Sequence, residues 1–108
     1  MPTSRAVAKP KARGAKELLP RWELTLYVTG GTARAAVAIA NLRKICEEHG
    51  TVRHWIRVVD VLKAPDRCRK DQIIAVPTVV RRWPQPERRV IGTLTDSATA
   101  AATLGLSE

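Results

Sequence analysis

From Leu24 to Val28 the chain reads Leu-Thr-Leu-Tyr-Val, with an apolar side chain at every second position, and this predicts a β-strand. Thr29-Gly30-Gly31-Thr32 interrupts it. From Ala33 to His49 the period lengthens: Ala35, Ile39, Leu42 and Cys46 follow one another at helical spacing and share one face. Thr32 suits the N-cap of that helix, and Gly50 suits its C-terminal stop. Arg53 to Leu62 then predicts a second strand that is apolar in both phases. Ile56, Val58 and Leu62 fall on one side; Trp55, Val59 and Val61 fall on the other. A strand of that kind is expected at the centre of a sheet, covered on both faces. The helix between the two strands implies a parallel pair with a right-handed crossover.

The second half carries weaker periodicity. Pro65 can open a short helix reaching Asp71, since proline fits the first helical turn. Ile73 to Trp83 is apolar and then basic, Pro84-Gln85-Pro86 forces a turn, and Arg88 to Leu94 reads as a further strand. Asp96 suits the cap of a last helix. The order β-α-β-α-β-β-α matches an α/β, thioredoxin-like fold. Val76-Pro77-Thr78 fits either a cis-proline entering the third strand or a trans-proline at a strand's first residue. The last helix offers mainly alanine where a docking face needs bulk. Burying a leucine gains roughly 1.5–3 kcal/mol and alanine far less, so the C-terminal half is expected to be the less firmly anchored.

Charge adds a boundary. The 108 residues suffice for one domain, and the net charge is +9. Residues 1–21 hold six bases and one acid, leaving the remaining residues at +4. That first stretch mixes Lys, Ala, Pro and Gly without bulky periodicity. It is expected to be a disordered basic arm, with the domain over residues 22–108. No apolar h-region marks a secretory signal, and no run approaches the length of a membrane span. Two cysteines, Cys46 and Cys68, form neither a disulfide framework nor a metal motif, and a reducing cytoplasm is the expected compartment.

Several chemistries are missing from the sequence. A thioredoxin-like oxidoreductase needs a thiolate at the N-terminus of the first helix, where backbone amides and the helix dipole stabilise it. Here that turn is Thr29-Gly30-Gly31-Thr32-Ala33, which weighs against a redox or thiol-binding role. Cys46 lies on the apolar helix face and reads as a buried structural thiol. Cys68, among Arg67, Arg69 and Lys70, reads as an inert surface cysteine. His49 and His54 lack acidic or thiol partners at ligand spacing, and no phosphate-cradling loop with its lysine is present, so no cofactor is expected. Arg81, Arg82, Arg88 and Arg89 flank the proline turn. Two readings stand side by side for them: a grip on phosphates or an acidic protein, and a solvated hairpin. Trp83, beside them, is the best aromatic anchor, whereas Trp22 and Trp55 read as core or core edge. A nucleic-acid accessory role is disfavoured, because four aromatics make too small a stacking surface.

Four segments in order resemble the KaiB family of circadian-clock proteins. They are Leu26-Tyr27-Val28-x-Gly30, Val59-Asp60-Val61-Leu62-Lys63-Ala64-Pro65, Ile74-Ala75-Val76-Pro77-Thr78 and Arg88-Arg89-Val90-Ile91-Gly92. The resemblance implies a non-enzymatic regulator that binds KaiC, a RecA-type ATPase and autokinase, and modulates its phosphorylation. It also implies self-association as a dimer or tetramer, and a metamorphic chain with an alternative ground-state C-terminal half. The residues expected to serve fold switching or partner binding are Lys63, Pro77, Arg81, Arg82, Trp83, Arg88, Arg89 and Gly92. Thr93 and the segment Arg67-Cys68-Arg69-Lys70 depart toward neutral or basic character where the family is commonly acidic, and the basic arm is extra. The expectation is a divergent, non-cyanobacterial member.

Overall fold

A computed structural model describes residues 21–49 and 53–106. The expected basic arm up to residue 20 and the expected stop at Gly50 lie outside the described residues. Seven elements follow in chain order: β1 (Arg21–Val28), α1 (Ala33–Glu48), β2 (Arg53–Asp60), α2 (Pro65–Lys70), β3 (Thr78–Trp83), β4 (Arg88–Ile91) and α3 (Ser97–Leu104). The order is the predicted β-α-β-α-β-β-α. Arg21, counted with the arm on charge, is the first residue of β1.

The sheet order is β2-β1-β3-β4. β1 runs parallel to β2 and antiparallel to β3, and β3 and β4 form an antiparallel hairpin. The central position expected for β2 is therefore corrected: among the described residues β2 is an edge strand, and β1 and β3 are the inner pair. Val58 is 42% exposed, and Leu62 lies beyond the strand end at 73%. Apolar residues in both phases cannot separate full cover from partial cover. β1 hides its centrality behind Thr25 and Tyr27, two polar-tipped residues that are both buried.

Alternation divides the sheet into two faces. Leu24, Leu26 and Val28 of β1 join Val79 of β3 under α1 and α3, forming the main core. α1 contributes Ala35, Ala38, Leu42, Ile45 and Cys46, with Ile39 at its margin. Thr32 Oγ1 accepts from Ala35 N at 3.1 Å, the predicted cap. On the opposite face Tyr27, Val59 and Val80 form a smaller cluster, closed by Val61, Ala64, Cys68, Ile73 and Val76. α3 sits close on the main core through Ala100, Ala101 and Leu104. Small side chains permit that approach. Asp96 caps its start, and Gly105, in the left-handed region at φ +80°, ends it.

Candidate functional site

The basic hairpin is the densest collection of the sequence-marked residues, and register decides where each side chain goes. Arg81 stands opposite Arg88, and Val80 opposite Arg89. Adjacent strand positions point to opposite faces, so Arg81 and Arg88 serve the α3 side while Arg82 and Arg89 serve the α2 side.

On the α3 side, Arg81 is only 5% exposed. Its Nη1 donates to the carbonyl of Leu104 at 2.7 Å and its Nη2 to the carbonyl of Pro86 at 2.6 Å. The guanidinium also lies over the Trp22 ring, 4.9 Å from its centroid. Burial, and then the neighbouring Arg88, push its pKa down, yet a guanidinium stays charged at any physiological pH. Arg88 reaches the Thr103 carbonyl at 3.5 Å. Both cations thus meet the C-terminal carbonyls of α3, the end that favours positive charge. The reading of Arg81 as a surface grip is corrected: strand alternation turns it inward, where it fastens the last helix.

On the α2 side, Arg89 donates from Nη2 to the Asp71 carbonyl at 2.6 Å and from Nη1 to the Gln72 carbonyl at 3.1 Å. Arg82 pairs with the Asp71 carboxylate and donates to the Tyr27 hydroxyl at 2.7 Å, while that hydroxyl donates to Asp71. Burial raises the Tyr27 pKa, and its bond to Asp71 adds to the rise. Burial also works to raise the pKa of Asp71, but the bonds from Tyr27 and Arg82 outweigh it and hold the carboxyl below its ordinary range. Burial alone would lower the Arg82 pKa; Asp71 reverses that and keeps the guanidinium firmly protonated. Tyr27 and Asp71 were not marked by the sequence reading. Tyr27 alone carried a signal, a polar tip between the buried apolar Leu26 and Val28; Asp71, at the C-cap of α2, carried none.

The remaining marked residues are scattered around this hairpin. Trp83 is half exposed at its end and Lys63 is exposed in the turn after β2. Pro77 is buried and follows a cis peptide bond, which decides between the two readings left open above. Gly92 closes the hairpin by donating its N–H to the Pro77 carbonyl at 2.8 Å, with φ at +116°. Two residues further, Leu94 is also left-handed at φ +67°, and Asn41 Nδ2 from α1 donates to the intervening Thr93 carbonyl at 2.8 Å. No group of three or more metal-ligating side chains occurs among the described residues. Burial raises Cys46 to about 12, with Glu47 adding to it. Thr32 occupies the helix start where a redox member would carry its thiolate.

Comparison with known proteins agrees with this geometry. A family model described as the KaiB domain matches residues 25–106. Circadian clock protein KaiB3 of Synechocystis is 37% identical over 83 residues, which cover 77% of this chain and 79% of that protein. Circadian clock oscillator protein KaiB of Prochlorococcus marinus (strain MIT 9312) is 41% identical over 73 residues, covering 68% and 70%. Among solved structures, the N-terminal domain of Synechococcus elongatus SasA superimposes with a TM-score of 0.67 at 19% identity, over 93% of each chain. Chloroplastic thioredoxin z superimposes at 0.63 with 20% identity, over 84% of this chain and 81% of that one. At these identities the structural likeness shows the fold, and the fold is thioredoxin-like.

Proposed function

The chain belongs to the KaiB family, and from that membership we propose that it is a non-enzymatic clock or timing regulator that docks on a KaiC-type ATPase. Docking modulates the phosphorylation or activity of that ATPase. The observation that carries this reading is the extent of the family match. It covers residues 25–106, hence almost the whole described domain, on a thioredoxin-like frame whose catalytic turn is Thr29-Gly30-Gly31-Thr32. The frame supplies a binding surface, and the turn has no thiol with which to exchange disulfides.

The exposed residues around the hairpin supply the contact: Trp83 as an apolar anchor, Lys63 and the outer arginines as charge that steers an acidic surface. Arg81, Gly92 and Pro77 act from inside, by holding the thioredoxin-like arrangement of the C-terminal half. The same chain self-associates, as a dimer or tetramer, through an alternative C-terminal packing. No helix among the described residues is long and apolar enough to cross a membrane, and the proposed site of action is the cytoplasm.

The test is direct. Purified protein is mixed with the KaiC homologue of its own organism, with ATP or ADP, and followed by size-exclusion chromatography and by the phosphorylation state of the ATPase. Co-elution with a changed phosphorylation time course is expected. No complex at tens of micromolar with either nucleotide, or a disulfide-reductase activity in the isolated protein, sinks the reading.

A further inference from the structure

Among the described residues, the face of the sheet away from α1 and α3 is covered only in part. α2 lies over its Tyr27 end, and beyond α2 a cleft of about 160 Å³ remains, lined by Glu23, Thr25, Trp55, Arg57, Arg67 and Arg82 together with Leu24. Three guanidiniums from three elements, β2, α2 and β3, therefore converge on one small concavity. Thr25 and Arg57 stand directly opposite each other in the β1–β2 register, so the arrangement is set by backbone pairing.

The charges in the cleft do not cancel. Glu23 is held by Arg21 at 2.6 Å, and Arg82 is held by Asp71. Arg67 stands near the Tyr27 hydroxyl and the Asp71 carboxylate and works to lower the pKa of each. Among the described residues neither Arg57 nor Arg67 forms an ion pair, so two cations remain in excess. The neighbouring cleft across Arg67 and Arg82 adds Lys70 but also Asp66 and Asp71, which leaves it the smaller positive excess.

We propose that Arg57, Arg67 and Arg82, with the Thr25 hydroxyl, form a binding site for a single phosphate-monoester group. Guanidiniums bind phosphate oxygens in bidentate fashion, and three of them match a tetrahedral dianion better than a planar carboxylate. The cleft is smaller than the roughly 300–1,000 Å³ of pockets that enclose a whole drug-sized ligand. It therefore takes the phosphate and leaves the rest of the ligand outside. That group can belong to a free phosphate compound or to a phosphorylated side chain of another protein.

The experiment titrates the full chain, at constant ionic strength, with inorganic phosphate, with a short phosphoserine peptide and with the same peptide unphosphorylated. Amide shifts of Thr25, Arg57 and Arg67 are followed by NMR. Saturable shifts are expected with phosphate. Arg57→Gln, an exposed position that should not disturb folding, should weaken binding at least tenfold. Arg34→Gln, an exposed cation on α1, should change it less than twofold. A phosphopeptide binding tenfold tighter than inorganic phosphate assigns the ligand to a protein side chain; equal affinities assign it to a free compound. Linear shifts that chloride reproduces, an unaffected Arg57→Gln, or equal binding of the unphosphorylated peptide overturns the proposal. No ATPase enters the assay, so its outcome is separate from that of the docking reading.

Discussion

Arg81 and Leu104 are joined across the main core by a hydrogen bond of 2.7 Å from the guanidinium to the carbonyl that ends α3. Few side chains could replace that donor, because Arg81 simultaneously satisfies Pro86 and covers the Trp22 ring. Removing it takes the donor from the buried Leu104 carbonyl and uncovers the Trp22 ring. Arg81→Ala should therefore cost about 2–4 kcal/mol, a large share of a small domain's stability. Arg81→Lys, which keeps the charge but not the fork, should recover only part of it. Urea unfolding of the three proteins checks this; a loss under about 0.5 kcal/mol for Arg81→Ala means the contact is not holding the helix.

Cys46 gives a second expectation. With its pKa pushed to about 12 by burial, first, and by Glu47, the thiol is protonated at neutral pH and shielded from reagents. It should react with a disulfide reagent only as fast as the protein opens, whereas Cys68, half-buried at the edge of the smaller cluster, should react faster. The Cys46→Ser, Cys68→Ser protein should keep the fold and the complex with the ATPase. A native Cys46 that reacts like a free thiol removes the structural reading of that residue.

The Tyr27–Asp71–Arg82 arrangement predicts an acid limit. The folded pKa of Asp71 is depressed, so the unfolded chain binds its proton more readily. The stability it contributes is present above the unfolded value, about 4, and is lost as pH falls through the folded value. Asp96, depressed by its cap bonds from Thr99, titrates in the same sense. Asp71→Asn should flatten part of the decline below about pH 4, while lowering stability at pH 7. Identical acid-unfolding profiles for Asp71→Asn and the parent chain count against the network.

How much of this the sequence displayed depends on whether a residue's environment is local. α1 was legible, cap included, because Thr32, Ala35, Leu42 and Cys46 lie within one helix and report on one face. The cover of β2 was not, since Trp55 and Val59 look alike in a central strand and at an edge roofed by a short helix. The four hairpin arginines were found as a group but their roles were hidden. Arg81 and Arg82 are neighbours in sequence and end on opposite sides of the sheet, tied to partners 23 and 11 positions away. Tyr27 and Asp71, 44 apart, share no sequence pattern at all. The alanines of α3 looked too small to dock; the structure uses their size for close approach and leaves the fastening to Arg81.

The last expectation concerns Gly92, at the junction on which a second packing of the C-terminal half would turn. Its φ of +116° is open to glycine and strained for a side chain, while a Cβ there would meet nothing within 4 Å. Substitution is thus penalised by backbone conformation alone, with no steric contribution. Leu94 already sits in the left-handed region two residues on, and the Asn41 bond to the intervening Thr93 carbonyl ties the segment to α1. A junction with one strained residue has little tolerance for another. Gly92→Ala should destabilise the thioredoxin-like form by about 1 kcal/mol or more, and leave any alternative in which residue 92 is extended unaffected. That shift is roughly fivefold in population, and apparent affinity for a partner that selects the thioredoxin-like form falls by the same factor where that form is the minor one. NMR of the parent chain should show two slowly exchanging peak sets for residues 64–106 and one for residues 24–62. In Gly92→Ala the thioredoxin-like set should shrink, and the association rate with the ATPase should drop in proportion. A single set throughout, unaltered by the substitution and by added partner, would show that this chain holds one fold.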